Sequence, residues 1–260
     1  MRMPRILGAV LAAVVVGATA LAGAGGAAAA PRTAPRIVGG VQSAEKYPFM
    51  VSIQRPAEGR EHWCGGALVD PRWVLTTAHC LQGDLGSYTA RVGSNDRSAG
   101  GEYLRVVETV AHPDWDGLHG DIALLRLERP VSAAPIAVAS SPPAFGDSVR
   151  LLGWGKTCNT YECSWEYPRM LREVDRTVAF DAMCSRASIH SVSELCIDVT
   201  NQATSCYGDS GGPAIQRRLA GGWELVGLDS RGGSSVCGEL GLIYTGTATY
   251  QRWIRDVVTG

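Results

Sequence analysis

Lysine is almost absent from this sequence of 260 residues: of its 24 basic residues only Lys46 and Lys156 are lysines, and the others are arginines. The formal net charge is −1 and no run of basic residues occurs, so the composition argues against a nucleic-acid partner. After residue 30 no apolar run is long enough to span a membrane. With 45% hydrophobic residues, the chain has the balance of a globular protein with a large core.

The N-terminal segment has the three parts of a secretory signal peptide. Arg2 and Arg5 give a positively charged start, residues 6–20 are apolar, and residues 28–30 are small alanines suited to cleavage. An uncleaved membrane anchor is the alternative, but the second half of the segment is mostly Gly and Ala, which are only weakly apolar. We therefore expect residues 1–30 to be removed and the mature protein to be secreted, extracellular and free of the membrane.

Beyond the signal segment the sequence alternates between short β-rich runs and turns of Gly, Pro, Asp and Ser. The runs are residues 49–53, 67–69, 73–77, 88–92, 103–110, 122–127, 149–152, 173–180, 195–197, 224–228 and 242–245. Short strands at this spacing are typical of an all-β sandwich or barrel. The one convincing helical pattern is terminal, where apolar residues at i, i+3, i+4, i+7 and i+8 form a single stripe from Tyr250 to Val258. The pattern alone predicts an all-β fold with a C-terminal helix.

The segment Gly-Asp-Ser-Gly-Gly-Pro at residues 208–213 is the most informative motif. Its glycines exclude a regular helix and let backbone N–H groups point at one spot, which suits a nucleophilic serine beside an oxyanion site. A serine hydroxyl needs a base, and the base needs an orienting partner. His79, next to Cys80, and Asp121, ahead of an apolar run, precede Ser210 in the chain order of the chymotrypsin-type triad. Taken singly, the histidine could be a packed residue and the aspartate a turn residue.

Further stretches match the same family. They are residues 36–40, 64–68, 73–80, 121–127, 153–155 and 253–254, together with Tyr244. From Ile37 to the C-terminus the chain therefore resembles the chymotrypsin/trypsin family of secreted serine endopeptidases. The resemblance implies two antiparallel six-stranded β-barrels with the active site between them, at about residues 37–140 and 141–260, and a C-terminal helix. The preference for arginine over lysine is typical of a GC-rich genome, which favours a bacterial member.

The resemblance assigns a role to each residue of the triad. Ser210 would form an acyl-enzyme, His79 would act first as base and then as acid, and Asp121 would orient His79. The backbone N–H groups of Gly208 and Ser210 would form the oxyanion hole. The expected partners are protein or peptide substrates, with protein inhibitors as further candidates. Two alternatives stay open: a non-catalytic binding module on the same fold, and an esterase that uses the same triad.

Residues 31–36 are expected to form a short propeptide. In this family, cleavage after the position of Arg36 frees the amine of Ile37, which inserts, pairs with Asp209 and orders the oxyanion loop. A buried carboxylate without a partner is costly, so the uncleaved protein should be an inactive precursor. An activating protease is therefore a further expected partner.

The specificity pocket departs most from the family pattern. Thr204 occupies the position of the aspartate that reads Arg or Lys in trypsin-like members, and Leu242 replaces a glycine that commonly leaves the pocket open. These two residues favour a neutral, shortened pocket for small or medium apolar side chains. Asp229, at a wall position that is usually Val or Thr, could instead attract a basic side chain, so both specificities stay open. The segment that pairs with substrate backbone would contain Ser230, Arg231, which replaces a usual aromatic residue, and Gly232.

Eight cysteines in a secreted chain indicate disulfide bonds. The resemblance implies three pairs, which are Cys64–Cys80, Cys184–Cys196 and Cys206–Cys237. Cys158 and Cys163 depart from the family, because the usual partner of a cysteine near Cys158 would stand at Gln216. We expect a local bond between Cys158 and Cys163, with two free thiols or a metal site as the alternatives.

No metal and no other cofactor are expected. A loop that binds calcium in some relatives offers only Asn95, Asp96 and Glu102, which do not form a convincing acidic cage. The histidines other than His79 have no motif that supports a functional role, and we expect them at the surface. They are His62, His112, His119 and His190.

Overall fold

The computed structural model describes residues 37–159 and 167–260. The strands in these residues are β1 Val41–Gln42, β2 Met50–Arg55, β3 Arg60–Asp70, β4 Trp73–Thr76, β5 Thr89–Val92, β6 Glu102–Ala111, β7 Ala123–Leu127, β8 Ala137–Val138, β9 Ser148–Gly153, β10 Arg172–Thr177, β11 Glu194–Ile197, β12 Pro213–Arg217, β13 Trp223–Gly232 and β14 Leu242–Gly246. The α-helix, α1, is Gln251–Thr259, and short 3-10 turns lie at Pro56–Glu58, Ala78–Cys80, Leu85–Ser87, Asp181–Ala187, Thr200–Gln202 and Thr247–Tyr250. Within the described residues, no helix has the length and apolar character needed to cross a membrane.

Six strands of the first half close into an antiparallel barrel in the order β2-β3-β4-β7-β6-β5. Side chains alternate between the interior and the outside, as in β5, where Ala90 and Val92 are buried while Thr89 and Arg91 are partly exposed. Closure of the sheet leaves no free edge. It also places the end of β4 beside the start of β7. Two of the predicted catalytic residues lie there, because His79 follows β4 and Asp121 precedes β7.

The second half forms a sheet whose six main strands run in the order β10-β9-β12-β13-β14-β11. Neighbours on this path pair antiparallel. Val178, just after β10, forms a bridging pair with Ile197 at the end of β11, so the two ends of the path meet. The predicted all-β architecture is confirmed. The short strands β1 and β8 lie within residues 37–140 yet pair with β10 and β13, and the division into domains near residue 140 stays a prediction.

The helix α1 packs on a buried cluster that contains residues of the first barrel and of β9, β12 and β13. Tyr250 and Ile254 belong to the same buried cluster as the barrel residues, and Trp253, Val257 and Val258 pack against that cluster. These are the five residues of the apolar stripe in the sequence. The helix therefore forms because a tertiary partner buries this face, since a helix of this length would be marginal alone.

Three disulfide bonds join the cysteines that the resemblance pairs. They are Cys64–Cys80, Cys184–Cys196 and Cys206–Cys237. Cys158 is also disulfide-bonded, which excludes a free thiol there. Cys163 lies outside the described residues, so its pairing with Cys158 stays a prediction.

Candidate active site

His79 and Asp121 meet at one end of the first barrel. The register pairs Thr76 of β4 with Ala123 of β7, so the residues that follow β4 lie beside those that precede β7. The ring Nδ1 of His79 lies 2.7 Å from Oδ2 of Asp121, and the backbone N–H of His79 donates to Oδ1 at 2.9 Å. The two bonds fix the ring and leave its Nε2 available as a base.

The second half of the molecule holds the same aspartate. Ser230 of β13 donates its hydroxyl to Oδ2 of Asp121 at 2.7 Å, and Thr245 of β14 donates to the backbone carbonyl of Asp121 at 2.8 Å. Asp121 is almost fully buried, and its carboxylate accepts bonds from two segments besides its own. A buried carboxylate is tolerated when donors satisfy it in this way. The sequence did not reveal the Ser230 contact, since Ser230 was expected only on the substrate-pairing segment.

The Ser210 turn packs against the chain that leads to His79. The carbonyl of Ser210 accepts the N–H of Gly65 at 2.8 Å, and the N–H of Gly211 donates to the carbonyl of Asp229 at 2.8 Å. Gly211 has a φ of +74°, and a Cβ there would collide with the hydroxyl of Thr76. Only glycine therefore allows this close approach.

The Ser210 side chain is partly exposed and borders a cavity. Within the described residues its hydroxyl forms no hydrogen bond to the His79 ring. Catalytic hydrogen bonds of this kind often shorten only when substrate binds. The Ser210 turn lies beside Gly65 and Thr76, and so at the same end of the barrel as His79 and Asp121.

The predicted oxyanion donors, the N–H groups of Gly208 and Ser210, donate no backbone hydrogen bond among the described residues. Gly208 has a φ of +94°, and a Cβ there would lie 2.6 Å from the ring of Tyr167. The glycine is therefore required by its neighbour as well as by its backbone conformation.

His62 is buried and does not lie at the surface, so that expectation was wrong. Its Nε2 lies 2.8 Å from the carbonyl oxygen of Gly208, which can only accept, so Nε2 carries the proton and Nδ1 accepts from Ser52 at 2.8 Å. Burial lowers the pKa of His62 to about 4, with an opposing effect from the Gly208 carbonyl. His62 therefore holds the Gly208 peptide as a neutral donor. The signal in the sequence was its position two residues before the buried Cys64, on the same face of β3.

Asp209 is buried directly beneath this loop. Its carboxylate accepts the N–H of Gly155 at 2.6 Å and the N–H of Cys206 at 2.9 Å. Burial raises the pKa of Asp209 to about 7, against the effect of these two bonds. Ile37 is fully buried in the core of the second sheet. Arg36 lies outside the described residues.

A cavity of about 280 Å³ opens beside Ser210. Its wall contains four of the predicted pocket residues, which are Asp229, Ser230, Gly232 and Leu242, together with the Cys206–Cys237 bond. Thr204 does not line the cavity in the described part of the chain; it is fully buried, and its backbone N–H donates to Val38 at 2.8 Å. Thr204 is thus removed from the surface that a substrate side chain would contact.

Arg231 is held by a buried ion pair that the sequence did not reveal. Its guanidinium binds both carboxylate oxygens of Glu194, at 2.7 and 2.8 Å. The remaining donors bind backbone carbonyls of Leu118, Ala187 and Ser188 at 3.0 to 3.1 Å. The side chain therefore joins the segment before Asp121 to the segment before β11, and its charge is compensated within the protein.

The acidic residues of the candidate calcium loop have arginine partners. Asp96 pairs with Arg169 at 2.7 Å, and Glu102 pairs with Arg129 at 2.6 Å. The guanidinium of Arg169 holds the pKa of Asp96 well below its usual range. Binding a cation here would require these pairs to open.

Comparison with known proteins agrees with the arrangement. Residues 37–254 match the family model described as Trypsin. Trypsin 5G1 of Aedes aegypti is 32% identical over 241 residues, which span 87% of this chain and 86% of that protein. Kallikrein 1-related peptidase b27 of Mus musculus is 29% identical over 259 residues, which span 90% and 94%.

A solved structure of neuropsin, a serine protease expressed in the limbic system of mouse brain, superposes with a TM-score of 0.72. It is 26% identical and covers 84% of this chain and 98% of its own. These relatives come from an insect and the mouse, so they do not support the bacterial origin that the arginine usage favoured. The chain belongs to the trypsin family and is a serine endopeptidase.

Proposed function

We propose that the protein is a secreted endopeptidase that cleaves peptide bonds through an acyl-enzyme on Ser210. The observation that carries this is the His79–Asp121 pair at 2.7 Å beside the Ser210 turn. Nε2 of His79 takes the Ser210 proton as Oγ attacks the carbonyl carbon, and it then gives that proton to the leaving amine. A water molecule, activated by the same histidine, hydrolyses the ester and frees Ser210.

The oxyanion of each tetrahedral intermediate would lie between the N–H groups of Gly208 and Ser210. Both groups are free of backbone partners within the described residues. Such donors are already oriented before charge develops, so each stabilises the transition state by roughly 3–4 kcal/mol. His62 supports this site because it restrains the Gly208 peptide.

The enzyme would be made as a precursor and activated by another protease that cleaves after Arg36. The freed amine of Ile37 would then pair with Asp209. Support comes from Asp209, which is buried and, among the described residues, has two N–H donors but no cationic partner. An ammonium partner would favour the charged carboxylate and lower its pKa from about 7. The disulfide bonds suit an oxidising, extracellular setting.

The test compares protein cleaved after Arg36 with uncleaved protein and with a cleaved Ser210→Ala variant. We expect the cleaved wild type to hydrolyse peptide amides. The uncleaved protein and the cleaved Ser210→Ala variant should both lack nearly all of this activity. Hydrolysis of esters without amides would support the esterase alternative. Failure of correctly cleaved protein to hydrolyse any amide or ester would support a binding module and contradict the proposal.

A further inference from the structure

Asp229 is a buried acid on the wall of the cavity beside Ser210. It is 7% exposed, and it lines the same cavity as Ser210. The pairing of β13 with β14 shifts register between Asp229 and Arg231. Such a bulge re-aims side chains, and successive residues from Asp229 to Gly232 all border the cavity.

The groups that face Asp229 are acidic or neutral. Burial raises the pKa of Asp229 well above its usual range, the charges of Asp209 and Asp121 raise it further, and a hydrogen bond from Ser205 opposes them. On the β14 side the hydroxyl of Tyr244 donates to Ser205 at 3.1 Å. These neighbours leave the Asp229 carboxylate, once ionised, without a compensating charge.

In the described part of the chain, Arg231 and Lys156 are cations near this cavity, and neither forms an ion pair with Asp229. Arg231 is bound to Glu194 through both of its terminal nitrogens. Lys156 is fully buried, and its Nζ lies 5.8 Å from the centre of the Tyr207 ring on another part of the cavity rim. Among residues 37–159 and 167–260, no ion pair includes Asp229.

We propose that the charged specificity residue of this enzyme is Asp229, and that it does not stand at the position of Thr204, where trypsin-like members have an aspartate. The cavity accepts Lys or Arg when Asp229 is ionised and uncharged side chains when it is protonated. This inference rests on the proposed function, because it assigns the cavity to the substrate residue whose carbonyl Ser210 attacks, here called P1. The Lys or Arg side chain of the substrate would provide the positive charge that the buried Asp229 carboxylate needs as a partner.

Selectivity between basic and neutral P1 residues should therefore depend on pH. A basic side chain binds the ionised form and lowers the pKa of Asp229, whereas a neutral one does not. The preference for the basic residue should rise about tenfold for each unit by which the bound cation lowers that pKa. The enzyme would also cleave after its own Arg36 at alkaline pH and not at acidic pH, so activation in trans could be followed by self-activation.

The decisive experiment uses protein cleaved after Arg36 and two peptide amides that differ only at P1, one with arginine and one with its uncharged isostere citrulline. The quantity measured is the ratio of their kcat/KM values from about pH 5 to about pH 9. Because both substrates need the same catalytic groups, the effect of pH on the chemical step cancels in the ratio. We expect the ratio to rise by at least tenfold in the wild type and to stay flat in Asp229→Asn and Asp229→Ser.

The control variant Asp256→Asn removes a negative charge from the exposed face of α1 and should keep the full rise. A flat ratio in the wild type, or an equal rise in the Asp229 variants, would overturn the proposal. Both results require that the citrulline peptide is still cleaved. The proposed function would therefore stand in either case.

A binding measurement tests the Asp229 pocket independently of peptide cleavage. n-Butylammonium is titrated into cleaved Ser210→Ala protein by calorimetry in buffers of different ionisation enthalpy, with n-butanol as the neutral probe. We expect the ammonium to bind with release of a proton, and Asp229→Asn in the same background to lose both the binding and the release. Proton-linked binding without peptide cleavage by the wild type would support the pocket and refute the endopeptidase, whereas equal binding in both proteins would refute the pocket.

Discussion

The carboxylates of Asp121 and Asp229 are both almost completely buried, yet their surroundings are opposite. Asp121 accepts bonds from the His79 ring, the His79 backbone and Ser230. Asp229 has one serine donor and two acidic neighbours that raise its pKa. The protein itself therefore stabilises the charge of Asp121, which is used in every turnover. The charge on the pocket wall is left for a substrate to stabilise.

The largest expected effect is that of a substitution at Asp121. Asp121→Asn should reduce kcat by about four orders of magnitude, because the amide favours the wrong tautomer of His79. Asp229→Asn should leave kcat on a citrulline peptide within a few-fold. Steady-state kinetics of the two variants on that peptide checks the contrast. Similar losses in both variants would contradict it.

Glu194 is a third buried carboxylate, and its cationic partner is Arg231 of the same protein. Arg231→Leu should lower the free energy of unfolding by about 3–5 kcal/mol, since it leaves Glu194 buried and unpaired. The double variant Arg231→Leu/Glu194→Leu should recover most of that loss. Urea denaturation measures both. If the double variant is as unstable as the single one, the loss has another cause.

The oxyanion site can be tested with matched glycines. Gly208→Ala should reduce kcat by about a hundredfold to a thousandfold, because its Cβ would press on Tyr167 and displace an oxyanion donor. Gly221 is a suitable control: its φ of +89° is similar, but a Cβ there meets no atom within 4 Å. Gly221→Ala should therefore keep its activity, and an equal loss in both variants would point to backbone strain alone.

His62 should affect the pH dependence of stability, and the direction of that effect follows from its pKa. Its pKa of about 4 lies below the value of about 6.5 expected when unfolded. Between these values the native state binds fewer protons, so this group makes the protein less stable as the pH falls. Asp209 and Asp229, whose pKa values are raised, act in the opposite direction.

The contribution of His62 is therefore measured as a difference between the wild type and His62→Gln, which does not titrate. The stability of the wild type relative to the variant should fall by about 3 kcal/mol from pH 7 to pH 4. Urea denaturation at several pH values gives this difference. A difference that does not change with pH would show that His62 is not buried as a neutral ring.

Much of the fold follows from local sequence, and the exceptions have tertiary causes. Each predicted β-rich run overlaps a strand, and α1 lies on the predicted stripe. The strand β12 was not predicted, because it starts at Pro213 directly after two glycines. Proline is tolerated at the first position of a strand. The two-residue strands β1 and β8 exist only through their pairing with β10 and β13.

The site divides in the same way. The order and context of His79 and Asp121 were sufficient to predict that these two side chains come together, whereas the role of Ser210 beside them stays a prediction. The Arg231–Glu194 pair was not predictable, since it joins residues far apart in the chain and depends on the path of β13. The sequence placed Thr204, Asp229 and Leu242 together in the pocket, whereas in the structure Asp229 and Leu242 line the cavity and Thr204 is buried away from it.

We propose that the Asp121 region makes Ser210 the nucleophile, whereas the Asp229 region only selects the substrate. This is tested most directly by mass spectrometry of the cleaved enzyme, quenched in acid during turnover of a peptide ester with citrulline at P1. We expect an acyl group on the peptide that contains Ser210, at similar occupancy in the wild type and Asp229→Asn, and absent from Ser210→Ala. Turnover without acylation of Ser210, or an acyl group on another residue, would contradict it.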